Sequence, residues 1–201
     1  MSVGRYPRIW DTGSDVSVAP SNPRLSKIAQ RKMRQTTIPR RIRRSRLRYV
    51  HLAGGTLVVT YIVMLLGAYT SAIGAGLSCP DWPTCYGTWI PFLQPGLIAN
   101  SPYSALQIFA EWAHRGLAFL AGLLILATAV TGWLFRPQES LIKWSAMTAL
   151  ILLPIQVLLG GLTVTRELQP IIVTTHLGVA ILILLCLLTT TLAAKLRPTI
   201  V

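Results

Sequence analysis

Charge is what this sequence has least of: 12% of its 201 residues are charged, and only 6 are Asp or Glu. The shortage is concentrated. No Lys, Arg, Asp or Glu occurs in residues 49–80, 116–135, 144–165 or 168–194. With 52% of residues hydrophobic and a mean hydropathy of +0.55, these gaps exclude the soluble globular class. Each gap is near or above the roughly 20 residues needed to cross about 30 Å of hydrocarbon. The sequence therefore predicts an all-α integral membrane protein, a four-helix bundle with spans at 50–73, 109–135, 141–164 and 170–194. Pro154, inside the third span, is expected to kink it.

The basic residues are plentiful but one-sided. Of 19 Lys and Arg, 13 precede Val50, and residues 74–108 contain none. By the positive-inside rule this places the N-terminus in the cytoplasm and the 74–108 loop outside. Arg136 and Lys143 then flank an inner turn, and Lys195 and Arg197 follow the last span on the inner side, so both termini are cytoplasmic. Arg166, in the short second outer loop, alone runs against the rule. The chain divides into a basic, flexible tail (1–49), a transmembrane domain (50–195) and a short tail (196–201). The leader before the first span is too long for a cleaved signal, so that span reads as an uncleaved anchor in the cell membrane. The Arg-rich tract 40–48 tempts a nucleic-acid reading. Beside a membrane helix it is more simply an orientation signal that meets anionic lipid headgroups, and no nucleic-acid partner is expected.

Cysteine is also scarce, with three in the chain. Cys79 and Cys85 bracket Pro80-Asp81-Trp82-Pro83-Thr84 in the outer loop, on the face where thiols oxidise, and the prolines turn the chain back on itself. A Cys79–Cys85 disulfide is expected there, acting as a staple over the helix ends. A redox role would need a partner thiol or quinone, and Cys186 lies deep in the fourth span as a small apolar residue.

Histidine is equally rare, three in all, yet two of them sit in a repeat. Leu65-Leu66-Gly67-Ala68-Tyr69-Thr70 followed by His114-Arg115-Gly116-Leu117-Ala118-Phe119-Leu120 is echoed by Leu158-Leu159-Gly160-Gly161-Leu162-Thr163 followed by His176-Leu177-Gly178-Val179-Ala180-Ile181-Leu182. The bundle thus reads as two copies of one helical hairpin. His114 and His176 fall roughly 8 to 9 Å inside the outer ends of two helices running the same way, at 1.5 Å per residue. Imidazoles at one depth on facing helices are a usual means of holding a haem iron from both sides. Ala118 and Ala180, one turn further in, leave room for a flat macrocycle, and the Gly67/Thr70 and Gly160/Thr163 pairs permit close helix approach. Zinc would want more nitrogen, sulfur or carboxylate ligands than are on offer. The bland alternative is two histidines satisfied by hydrogen bonds between helices. Glu111 stands three residues before His114, hence on the same face, as a carboxylate beside the ring. An ion pair with Arg115 is its ordinary reading and is compatible with proton transfer. Arg115 and Arg166, both near the outer face, are candidates for pairing with haem propionates. His51, beside the basic tract, needs no special role.

Gly74-Ala75-Gly76-Leu77-Ser78-Cys79-Pro80-Asp81-Trp82-Pro83-Thr84-Cys85-Tyr86-Gly87, with Glu111-Trp112-Ala113-His114-Arg115, Gly160-Gly161-Leu162-Thr163 and His176, resembles the haem A synthases over roughly residues 50–194. The resemblance implies an oxidoreductase that converts the ring-D methyl of haem O to a formyl group. It would do so by two successive hydroxylations with water-derived oxygen and loss of water from the gem-diol. It makes Glu111 the catalytic carboxylate and His114 and His176 the iron ligands, and it matches Cys79 and Cys85 to the family's outer-loop cysteine pair. Many members have eight helices in two bundles, the second taken to hold haem b. This chain, with one bundle, resembles the short archaeal-type form, which would assemble as a homo-oligomer beside haem O synthase or a terminal oxidase under assembly. Two rivals remain open at this point. A bis-histidine membrane cytochrome b would share the ligands but has no use for Glu111. A quinone-linked disulfide-forming enzyme would share the outer cysteines but usually needs a second pair.

Overall fold

The computed structural model describes residues 40–196. Four long helices carry it: α1 (Arg40–Ala72), α2 (Ala105–Phe135), α3 (Ser140–Thr165) and α4 (Pro170–Leu196). A 3-10 turn (Pro91–Leu93) and a one-turn helix (Pro95–Ala99) lie in the long connection between α1 and α2. No strand is present among the described residues, where only an isolated bridge pairs Cys85 with Thr88. All four long helices contain a stretch long and apolar enough to cross a membrane, the first of them Leu47–Ala72. The protein is a multi-pass membrane protein.

Its burial pattern suits lipid. Large apolar side chains such as Phe119, Leu158 and Ile171 point outward, more than 60% exposed, whereas the buried positions are mostly small or hydroxylated: Ala53, Ala121, Ala149, Thr56, Thr128 and Thr190. Hydrocarbon gives apolar side chains no reason to turn inward, so helix contact relies on close approach and on hydrogen bonds between helices. Thr56 and Thr128 bond across α1 and α2 at 2.8 Å, and Ser145 and Thr190 bond across α3 and α4 at 2.7 Å. A tighter apolar patch of Ile125, Ala149, Ile183 and Leu187 joins α2, α3 and α4, and Cys186 packs at its edge.

Helices α1, α2 and α3 are longer than their charge-free gaps, and each begins before its gap does. The start of α2 lies at Ala105 rather than 109, because Ser104 and Gln107 form a capping box, the Ser104 hydroxyl taking the Gln107 N–H and the Gln107 side chain taking the Ser104 N–H. That extra turn faces the loop: Ile108 is fully buried against Cys79 and Cys85. At the other end of the bundle, α1 already runs helical from Arg40, inside the segment expected to be tail, since charged residues end a membrane span without ending a helix. The flexible-tail expectation for residues 1–39 and 197–201 falls outside the described residues. Pro154 lies within α3, which is one helix from Ser140 to Thr165.

The connection after α1 is folded. Gly74, at φ +67°, turns the chain out of α1 in the left-handed region that favours glycine. The Gln107 amide donates to the Ile73 carbonyl (2.9 Å) and the Ser78 hydroxyl to the Gln107 carbonyl (3.0 Å), tying the loop to the start of α2. Phe92 meets Phe109 and Trp112 edge to face, and the Trp112 indole donates to the Trp89 carbonyl at 2.7 Å. The loop also reaches the α3–α4 hairpin. A Cβ on Gly76 would meet Leu168 at 3.1 Å, and one on Gly161 would meet the Trp82 ring at 3.2 Å.

Candidate functional site

Each of the two predicted histidines lies against a glycine of the preceding helix. A Cβ on Gly67 of α1 would come within 2.8 Å of His114 Cε1, and one on Gly160 of α3 within 3.3 Å of His176 Cε1. Three residues on, Thr70 and Thr163 turn their hydroxyls back onto those glycines' carbonyls, at 2.8 and 2.7 Å. The sequence marked these small residues as permitting helix approach. Their closer function, as seats for the imidazoles, was not read, although the Leu-Leu-Gly-x-x-Thr and His-x-Gly-x-Ala-x-Leu motifs shared by both hairpins were the signal for it.

Both rings are half-buried, and each is within electrostatic reach of the other. Nδ1 of His114 and Nδ1 of His176 are buried without a hydrogen-bond partner. The Gln156 amide N–H approaches His176 Nε2 at 3.4 Å, while the Gln156 carbonyl oxygen is buried and unpaired. A donor on Nε2 marks that nitrogen as the one carrying the lone pair. Gln156 is a further site residue that sequence reasoning missed; an amide in the middle of a charge-free span was the available signal.

These residues fit a haem. Two neighbouring imidazoles whose buried Nδ1 atoms no described residue pairs closely, each ring beside a backbone carbonyl of the preceding helix (Val63 and Gln156), suit rings that keep Nε2 for a ligand. Among the described residues no three or more His, Cys, Asp and Glu converge. Two imidazoles suffice only where a macrocycle provides the other ligands.

Glu111 is 6% exposed on the same helix as His114. Its Oε1 accepts from Arg115 Nε at 2.9 Å, and no described residue donates to Oε2. Arg115 is the hub of the loop: Nη1 donates to the carbonyls of Asp81 and Thr84, both at 2.6 Å, and Nη2 to the Cys79 carbonyl at 2.9 Å. Four of its five N–H groups are thereby used, leaving one for any propionate. All three carbonyls belong to the ring that the Cys79–Cys85 disulfide closes. Within that ring Asp81 accepts from the Thr84 hydroxyl and from the Gly87 N–H. Burial pushes the Asp81 carboxyl up, but those hydrogen bonds outweigh it and hold the group below its usual range. Arg166 is exposed at the end of α3, and His51 is exposed on α1 with Nδ1 2.6 Å from the Leu47 carbonyl. The structure thus brings Glu111, Arg115 and the cysteine loop together, sets His114 and His176 near each other, and leaves Arg166 without a side-chain partner among the described residues.

The family model described as COX15-CtaA, cytochrome oxidase assembly protein, matches residues 50–199. The chain belongs to this family. A haem A synthase of Shewanella oneidensis is 36% identical over 142 residues, covering 66% of this chain and 42% of that protein, and one of Bacillus pumilus is 30% identical over 63% of the chain and 38% of that protein. A protoheme IX farnesyltransferase of Halobacterium salinarum is 29% identical over 60% of the chain but only 24% of its own length. The chain spans less than half the length of these curated relatives. No solved structure matches it. The match to the COX15-CtaA family takes in the greater part of the chain. Its matched region contains all of the geometry above.

Proposed function

We propose that this protein is a haem A synthase, which oxidises the ring-D methyl group of haem O to a formyl group. One observation carries the reading: two imidazoles in glycine seats with unpartnered nitrogens, and a buried carboxylate one turn from His114 alone. His114 and His176 hold the iron. When bound, the haem supplies both the redox-active metal and the methyl group that is oxidised, with haem b as a further cofactor in the assembly. Converting the methyl to a formyl group with oxygen from water releases four protons and four electrons; Glu111 would act through Oε2, the oxygen that Arg115 leaves open, as the base for the protons, the electrons would go to an external electron acceptor, and Oε1 stays paired. The cysteine loop covers this end of the bundle and limits water entry. Arg166 stands at the same end for a propionate.

The charge asymmetry supports cytoplasmic termini and an outward-facing loop. The Gly67–His114 and Gly160–His176 seats support descent from one repeated hairpin. A segment like this chain within a halobacterial protein named for protoheme farnesylation supports a haem O synthase as the neighbouring partner. Electron transfer by a cytochrome b would use the same two ligands but leaves the buried Glu111 without a task.

The deciding experiment is expression with haem O synthase, followed by mass spectrometry of the extracted haem. A formyl-bearing haem is expected from the wild type and none from Glu111→Gln, with the bis-histidine absorption spectrum intact in both. Normal formyl haem from Glu111→Gln would remove Glu111 from the chemistry. A wild type that binds haem but never oxidises it would leave the cytochrome.

A further inference from the structure

An arginine four residues after a glutamate on a helix is normally a loose ion pair, its long side chain free to swing. Arg115 is different. Its side chain is only 14% exposed, and three of its N–H groups are held by carbonyls of one seven-residue ring, Cys79 to Cys85, closed by the disulfide. A guanidinium is a rigid planar fork, so fixing its two terminal nitrogens fixes the Nε edge as well. That edge meets Glu111 Oε1 at 2.9 Å, and Glu111 is in turn 8% exposed in its side chain.

We propose that Arg115 is a positioning residue through which the disulfide-closed loop sets the orientation of the Glu111 carboxylate. The inference rests on the catalytic role given above to Glu111 and deepens it. Loop and carboxylate belong to different parts of the chain, and Arg115 is the side chain bonded to both. With Oε1 pinned, rotation of the carboxylate is stopped and Oε2 is held at one place. The disulfide then acts on the reaction without any exchange of its own: opening it frees the three carbonyls, the guanidinium follows, and Oε2 loses its place. Charge alone does not explain the arrangement, because a lysine at 115 would supply the charge to Glu111 but not a planar fork that also spans three carbonyls.

The test compares the full-length chain with Arg115→Lys, with Cys79→Ser/Cys85→Ser and with all three substitutions together. In protein without added haem, the infrared stretch of the Glu111 carboxylate is identified as the band lost in Glu111→Gln. The band is expected to shift in Arg115→Lys, to shift equally in the cysteine variant, and to shift no further in the combination. With haem O present, kcat should fall about 10- to 100-fold at unchanged KM and unchanged bis-histidine spectrum, as for a misplaced catalytic group. Where the cysteine variant does not fold, reduction of the disulfide in folded wild type gives the same reading. An unshifted band after the disulfide is opened, or full kcat in Arg115→Lys, would overturn the proposal. Turnover surviving in Glu111→Gln would instead remove the catalytic role while the infrared coupling stood or fell separately.

Discussion

The two hairpins hold their histidines alike and differ in what they place beside them. In α1–α2, His114 lies on Gly67 and has Glu111 three residues ahead; the corresponding place in α4 is Val173. In α3–α4, His176 lies on Gly160 and meets Gln156; counted from the glycine seats, the corresponding place in α1 is Val63. Each hairpin thus adds one polar group to the shared seat, an acid from the histidine's own helix in the first and an amide from the preceding helix in the second. The connections differ as sharply. Residues 73–104 fold into a disulfide-closed, arginine-centred cover, whereas α3 and α4 are joined by a short turn in which Glu167 and Leu168 take positive φ. On the function proposed above, shared features would serve binding and the unshared ones would supply chemistry and its control.

The largest test of that division is to move the acid. Glu111→Gln should lower formyl formation by about 100-fold or more, the usual worth of a placed general base. Val173→Glu added to it should restore nothing, because α4 has no arginine and loop to hold the carboxylate; Leu177 occupies the place of Arg115. Product analysis of the extracted haem checks both. Recovery in the double variant would make the hairpins interchangeable and end the comparison.

Next in size are the seats. Gly67→Ala forces a Cβ to 2.8 Å from His114, closer than side chains tolerate, whereas Gly160→Ala asks His176 to give by a few tenths of an ångström at 3.3 Å. The first should cost about 1–3 kcal/mol in thermal stability, an overpacking penalty, and displace the ring enough to reduce haem occupancy. The second should cost less on both counts. Melting curves and Soret absorbance per protein measure the two effects, and equal losses would mean that the seats are not graded as their distances indicate.

The membrane spans and histidines were legible in the sequence because both signals are local. A charge-free run is read directly, and two histidines in one repeated motif identify each other. Helix ends were less legible. The 105–108 turn of α2 rests on the capping box of Ser104 and Gln107 and on Ile108 packing under the disulfide, an arrangement that hydropathy does not register. Arg115 was read as a propionate partner or an ion pair, since its spacing from Glu111 is visible in sequence. Its three loop carbonyls are 31 to 36 residues away, and backbone acceptors leave no signature in residue type. Trp82 over Gly161 was hidden for the same reason, as a contact between hairpins that neither local pattern contains.

A smaller effect separates the hairpins at the amide. Gln156→Leu removes a donor that occupies the His176 lone pair, so haem affinity should rise rather than fall, by about 0.5–1 kcal/mol or roughly two- to fivefold for one weak hydrogen bond. Haem titration followed by absorbance measures it. Val63→Gln, the reverse exchange at His114, should act in the opposite direction if the two seats are equivalent. A fall in affinity in Gln156→Leu would show that the amide supports the ligated ring instead of competing with the iron.

The smallest expected effect lies in the loop, where acid should loosen the cover of the first hairpin and leave the second untouched. Asp81 is held below its ordinary value in the folded loop, chiefly against burial, by the Thr84 hydroxyl and the Gly87 N–H. A carboxyl with a lowered folded value stabilises the loop fully above its unfolded value, near pH 3.9, and that contribution is lost as pH falls through the lower folded one. Amide exchange at Gly87 should therefore be protected at neutral pH and quicken, beyond its intrinsic pH dependence, only below about pH 4. In Asp81→Asn the amide oxygen still accepts, but more weakly, so exchange should be modestly faster at every pH and the acid step should vanish. Because Asp81 lies in the ring whose carbonyls hold Arg115, the acid step in wild type should be accompanied by the same infrared shift of Glu111 that opening the disulfide produces. Acid loosening at Gly87 with an unmoved Glu111 band would place the Asp81 turn outside the arginine clamp, confining the clamp to the carbonyls themselves.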